Sequence, residues 1–111
     1  MRVGVTGGRH YRDVAAVALA LAALPKDAVL VHGAATGADA AAALAWSSCG
    51  GTTEAHPADW GRDGKAAGVI RNQRMVDSGL DMLIAFPGGR GTADMIRRAE
   101  KAGIPVTRIS E

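Results

Sequence analysis

Apolar residues in this chain come in short blocks of strand length and longer blocks of helix length, and the blocks alternate. Arg2 to Val5, Ala28 to His32 and Asp81 to Phe86 are strand-length runs, and glycines follow soon after each. Continuous apolar runs of this kind mark strands buried on both faces of a parallel sheet. Thr52 to His56 is a weaker strand, and Ile104 to Ile109 is a last one, with Pro105 near its start, where a ladder N–H can be spared. Helices are predicted over Val14 to Leu24, Ala40 to Ser48, Lys65 to Ser78 and Thr92 to Lys101. Pro25-Lys26-Asp27, Gly50-Gly51, Gly79 and Gly103 stop them. Thr36 or Asp39 is expected close to the N-cap of the second helix. Pro57 to Gly64 reads as a polar, glycine-punctuated loop.

Strict strand–helix alternation predicts an α/β three-layer sandwich, about five parallel strands with helices on both faces. The expected strand order is 3-2-1-4-5, within one domain spanning 1–111. In such sheets ligands bind beyond the C-terminal strand ends, where the strand order reverses. The glycine loop after strand one (Thr6 to His10) then faces the loop after strand four (Pro87 to Thr92), with the loop from Gly33 to Asp39 flanking them.

Charge and composition narrow the partner. The net charge is +2 with no polybasic run, and aromatic residues make up 4% of the chain, so neither backbone tracking nor base-stacking platforms for a nucleic acid are expected. A small anionic ligand fits better. No stretch is long enough to span a bilayer, the start reads as a strand and not a signal peptide, and the single cysteine, Cys49, fits a reducing cytoplasm. The helices at 14–24 and 40–48 carry almost no charge, so they are either covered on both sides or packed against a second subunit, making a homodimer or larger homo-oligomer the expected state.

Glycine loops that open helices bind anions, because unpaired amides meet the positive end of the helix dipole. The candidate nucleotide-binding residues are Gly7, Gly8 and Arg9 in the first loop, His32, Gly33, Gly37 and Asp39 around the second, and Pro87, Gly88, Gly89, Arg90, Gly91 and Thr92 in the third. Arg9 and Arg90 each follow a Gly-Gly pair, where a guanidinium can clamp phosphate or simply be solvated. Trp60 either caps the sheet edge or stacks on a base, and Trp46 belongs to the core or a subunit interface. Arg71 and Asn72 reach the site or face solvent. Asp39 and Asp94, near helix starts, complement the dipole or act on a ligand. No glycine run is followed by Gly-Lys-Ser or Gly-Lys-Thr, so no Walker loop is present. His10, His32 and His56 lie at strand ends without metal-ligand spacing, so neither a metal nor a cofactor is expected.

Pro87-Gly88-Gly89-Arg90-Gly91-Thr92, Arg71-Asn72-x-x-Met75 and His32-Gly33-x-x-x-Gly37-Ala38-Asp39 together resemble the SLOG superfamily, which includes the Lonely Guy phosphoribohydrolases and the Rossmann-like domain of DprA. Val5-Thr6-Gly7-Gly8-Arg9 and Pro57-Ala58-Asp59-Trp60 make the chain similar, more narrowly, to a short stand-alone SLOG family of bacteria and phages. The resemblance implies a Rossmann-like fold and a nucleotide or nucleotide-derived ligand, such as an ADP-ribose-like or cyclic nucleotide signal, held by a sensor or sequestering module. The Lonely Guy pattern continues to a catalytic glutamate, and Met95 stands at that position here. Asp94, one residue earlier, points about 100° away around a helix. Nucleoside-monophosphate hydrolysis, with Asp94, Asp39 or Asp59 supplying the carboxylate, is the alternative the resemblance implies.

Overall fold

The strand-length apolar runs pair side by side. The computed structural model describes residues 1–110, in which β1 (Arg2–Thr6), β2 (Val29–His32), β3 (Thr52–Ala55), β4 (Met82–Ala85) and β5 (Val106–Arg108) form one all-parallel sheet. The order is β3-β2-β1-β4-β5, as the alternation predicted, with Gly4 opposite Val31 on one side and Leu83 on the other. Five helices complete the fold: α1 (Val14–Ala22), α2 (Ala38–Ser48), α3 (Trp60–Asp63), α4 (Ala67–Asp77) and α5 (Arg90–Lys101). None of the described helices is long and apolar enough to cross a membrane.

Strand side chains alternate between two cores. Val3, Val5, Leu30, Ile84 and Phe86 pack against Val17 and Leu21 of α1 and Ala42 and Trp46 of α2. Val31 and Leu83 meet Met75 and Val76 of α4 and Met95 and Ala99 of α5 on the other face. Gly4 sits on this second face, where a Cβ would lie 2.7 Å from a Leu80 methyl, so glycine there lets α4's end close onto the sheet. Trp46 is a core residue, its indole N–H donating to the Ala28 carbonyl at 3.0 Å. Arg2 reaches across the sheet to hold the edge strand, with Nη1 and Nη2 donating to the two oxygens of Glu54 at 2.9 and 2.7 Å. That pairing, with a further hydrogen bond to His56, lowers the Glu54 carboxyl to about 2.

Local differences from the sequence expectations have physical causes. The Pro57–Gly64 stretch holds the helical turn α3 instead of a plain loop, because Asp59 caps it by accepting from the Arg62 N–H at 3.0 Å. Gly64, at φ 58, then breaks the direction, and a 3-10 turn (Gly64–Ala66) leads into α4, so the regular helix starts at Ala67 and not Lys65. Neither Thr36 nor Asp39 caps α2. Gly37 is its N-cap, at φ 80, with no side-chain hydrogen bond. The helix after β4 begins at Arg90, so Arg90 and Gly91 form its first turn rather than loop. Within the protomer α1 buries Val17 and Leu21 but leaves Val14 and Leu19 exposed, as α2 leaves Leu44.

Candidate functional site

Three loops leave the C-terminal ends of β1, β2 and β4 and meet at Gly8. Its N–H donates to the Pro87 carbonyl at 2.9 Å, and its carbonyl accepts from Ala38 N at 3.1 Å and Tyr11 N at 3.2 Å. Close approach is what the glycines here provide: a Cβ on Gly8 would lie 3.1 Å from Pro87 O, and one on Gly37 would run into the Gly8 and Arg9 backbone. The Gly8 amide is spent joining the loops, and Gly7, Gly8, Gly37 and Gly88 are seated against neighbours.

Gly89 and Gly91 differ. A Cβ on either would meet nothing within 4 Å, and α5 starts at Gly89 without a side-chain cap. By contrast α1 has its first turn capped by Asp13, whose Oδ1 accepts from Ala16 N at 3.0 Å. The N-terminus of α5 therefore presents open glycine positions and amides that no side chain caps.

These glycines line a cavity of about 1060 Å³ whose walls are Thr6 to Asp13, Asp39, Arg71, Asn72 and Pro87 to Thr92, with Met75 and Met95 among the apolar lining. Of the described buried polar or charged residues, Thr6, Asp39, Asn72 and Thr92 line it, and His32 does not. Buried polarity is thus concentrated where a ligand would repay it. The side chains of Arg9, Arg12 and Arg90 make no hydrogen bond or ion pair with any described residue, and all three line the cavity. Of the six described arginines that do not line it, Arg2, Arg62, Arg97, Arg98 and Arg108 are ion-paired and Arg74 is not.

Arg71 and Asn72, one helix turn of α4, tie the second loop to the third. Arg71 Nη1 donates to the Gly33 carbonyl at 2.6 Å and its Nε to Asn72 Oδ1 at 3.0 Å. Asn72 Nδ2 donates to the Gly91 carbonyl at 3.2 Å and to Asp94 Oδ2 at 3.0 Å. Asp39 turns back to accept from Gly33 N at 2.9 Å. Burial raises its carboxyl to about 6, against the opposing pull of the Gly33 N–H and the Arg71 charge.

The other two candidate carboxylates do not line the cavity. Asp59 caps α3, and Asp94 is bound by Arg98 at 2.8 Å. Burial disfavours the charged form of Asp94, but the hydrogen bonds from Arg98 and Asn72 and the charges of Arg98 and Arg97 outweigh it, holding the carboxyl below its usual range. Gly33 lies beneath the Arg71 guanidinium and does not line the cavity. His32 is buried, its Nδ1 accepting from Ala34 N at 3.1 Å, and burial followed by the neighbouring His56 lowers its pKa. Trp60 is 57% exposed on α3 and does not line the cavity. Among the described residues no group of three or more His, Cys, Asp or Glu gathers to hold a metal.

The ring at the cavity is Tyr11, tilted 33° against Phe86 at 5.4 Å. With Arg12 and Asp13 it lies just beyond the Thr6 to His10 loop expected at the crevice, where no glycine pattern marks it. The signal was its place three residues after Gly8, where a turn brings it back over the loop.

A family model described as the YspA, cpYpsA-related SLOG family matches residues 1–62, a span that holds the first two glycine loops and ends in α3. The chain is also 45% identical to the Gene 61 protein of Mycobacterium phage D29, over 99% of this chain and 97% of that one.

Proposed function

We propose that this chain, which belongs to the YspA, cpYpsA-related SLOG family, binds a nucleotide or nucleotide-derived small molecule in the cavity at the C-terminal strand ends. The observation that carries the reading is the start of α5. Gly89 and Gly91 leave open space at an uncapped helix N-terminus, in a cavity where Arg9, Arg12 and Arg90 have no acidic partner among the described residues. A phosphate there meets the helix dipole, backbone amides and guanidinium groups together. The cavity volume of about 1060 Å³ has room for more than one phosphoribosyl unit, which favours ADP-ribose-like and cyclic nucleotide species. Holding such a molecule without consuming it makes the protein a sensor or a sequestering module.

Titration calorimetry with AMP, ADP-ribose and a cyclic dinucleotide tests this. At least one is expected to bind, and Gly89→Asp, whose carboxylate would enter the open space at the α5 start, is expected to abolish that binding. No heat from any of the three would end the nucleotide reading.

Hydrolysis of a nucleoside monophosphate is a second reading, favoured by one observation. Of the three candidate carboxylates only Asp39 lines the cavity, and its carboxyl, raised to about 6, suits proton transfer near neutrality. Met95, fully buried, puts a thioether where the related hydrolases carry glutamate. Release of adenine from AMP, abolished by Asp39→Asn, would replace binding with catalysis as the function.

A further inference from the structure

The cavity is larger than a phosphate or a ribose phosphate requires, and Tyr11 is its aromatic wall. The chain has one Tyr, one Phe and two Trp. Phe86 and Trp46 are buried in the core, and Trp60 stands away from the cavity, so no other Phe, Trp or Tyr ring can face a ligand there. Tyr11 is half-buried, with its backbone N–H donating to Gly8 O at 3.2 Å and its ring braced on Phe86 at a centroid distance of 5.4 Å. Phe86 in turn leads directly into Pro87 to Gly89, the segment that opens α5. Tyr11 is thereby held through its backbone at Gly8 and through its ring on Phe86, in the same cavity as the start of α5. A ring held by its own backbone and by a buried neighbour has little freedom left to lose when a planar group stacks on it.

We propose that Tyr11 forms a nucleobase subsite: the base of the ligand stacks on its ring while the phosphate lies at the start of α5. This deepens the nucleotide-binding reading and rests on it. Stacking acts on the base alone, so it separates ligands that carry a base from those that do not.

Calorimetry with AMP and with ribose 5-phosphate, on the parent protein and on Tyr11→Phe, Tyr11→Leu and Tyr11→Ala, tests the subsite. The parent is expected to bind AMP more tightly than ribose 5-phosphate. Tyr11→Leu and Tyr11→Ala should weaken AMP by roughly five- to a hundredfold and leave ribose 5-phosphate within about twofold. Tyr11→Phe should keep AMP within about threefold, because the stacking face remains. Equal loss of both ligands in Tyr11→Leu would make the ring a structural wall, and unchanged AMP binding would leave it without a role; either overturns the subsite while the phosphate site stands. Tyr11→Leu keeps apolar bulk against Phe86, so the test survives if Tyr11→Ala does not fold. A parent that binds neither compound overturns the subsite, and the nucleotide reading falls with it only if ADP-ribose and the cyclic dinucleotide also give no heat.

Discussion

Gly91 separates stability from binding more sharply than any other position. It lies in the first turn of α5, lines the cavity, and would meet nothing within 4 Å if it carried a Cβ. Gly91→Ala therefore introduces no clash and removes backbone freedom from the unfolded chain, stabilising the fold by about 0.5–1 kcal/mol. In a domain of this size that raises the melting temperature by roughly 2–6 °C. The same methyl group stands at the helix start where a phosphate must approach. Lengthening one hydrogen bond to a charged group forfeits about 1.5–3 kcal/mol, a roughly ten- to hundredfold loss of affinity. Scanning calorimetry on the free protein and titration with the tightest-binding nucleotide read the two effects separately. A stabilised variant with unchanged affinity would show that the space beside Gly91 is not ligand space. A variant less stable than its parent would show that the space is not open.

Other expectations follow from the polar residues and the outer faces of the helices. Asp39 has its carboxyl raised from 3.8 to about 6 chiefly by burial, so its contribution to stability is full below about pH 4 and is lost as pH rises through 6. Asp39→Asn keeps an acceptor for the Gly33 N–H and cannot ionise; against a carboxyl raised to about 6, it should gain up to about 3 kcal/mol at pH 7 and nothing below pH 4. Urea melts that show the same gain at both pH values would contradict this. Asn72→Ala removes the bridge from Arg71 to Gly91 and Asp94 and should cost about 1–3 kcal/mol, where a melt unchanged from the parent would deny the bridge its role. We further propose self-association through the exposed apolar side chains Val14, Leu19 and Leu44 of α1 and α2. Sedimentation should then give a dimer or larger species that Leu19→Lys dissociates, and a monomeric parent would refute it.

How legible each part was depends on how far its cause lies along the chain. The strand order could be read because Ala28 to His32 and Asp81 to Phe86 are apolar on both faces and run towards glycines, a local pattern that a parallel sheet demands. The gathering of Gly7 to Arg9 with Pro87 to Thr92 followed from that order alone. Contacts between segments distant in sequence left no such trace. Nothing in Thr6-Gly7-Gly8 says that the Gly8 amide will be consumed by Pro87, or that Gly33 will lie under an arginine 38 residues away. Trp60 drew attention as a large ring in a polar segment, yet the cap from Asp59 turned that segment into a helix and left the ring outside. Tyr11, the ring that reached the cavity, is placed by packing on Phe86, a contact that no spacing encodes.

Amide shifts in a nitrogen-15-labelled sample, titrated separately with AMP, ADP-ribose and a cyclic dinucleotide, locate a ligand without assuming where it binds. With at least one of the three, the amides of Gly89, Arg90 and Gly91 should move furthest, followed by those of Arg9 and Asp39. If all three leave these amides in place, or if the shifts fall instead around β5 and the far edge of the sheet, the cavity at the start of α5 is not a nucleotide site.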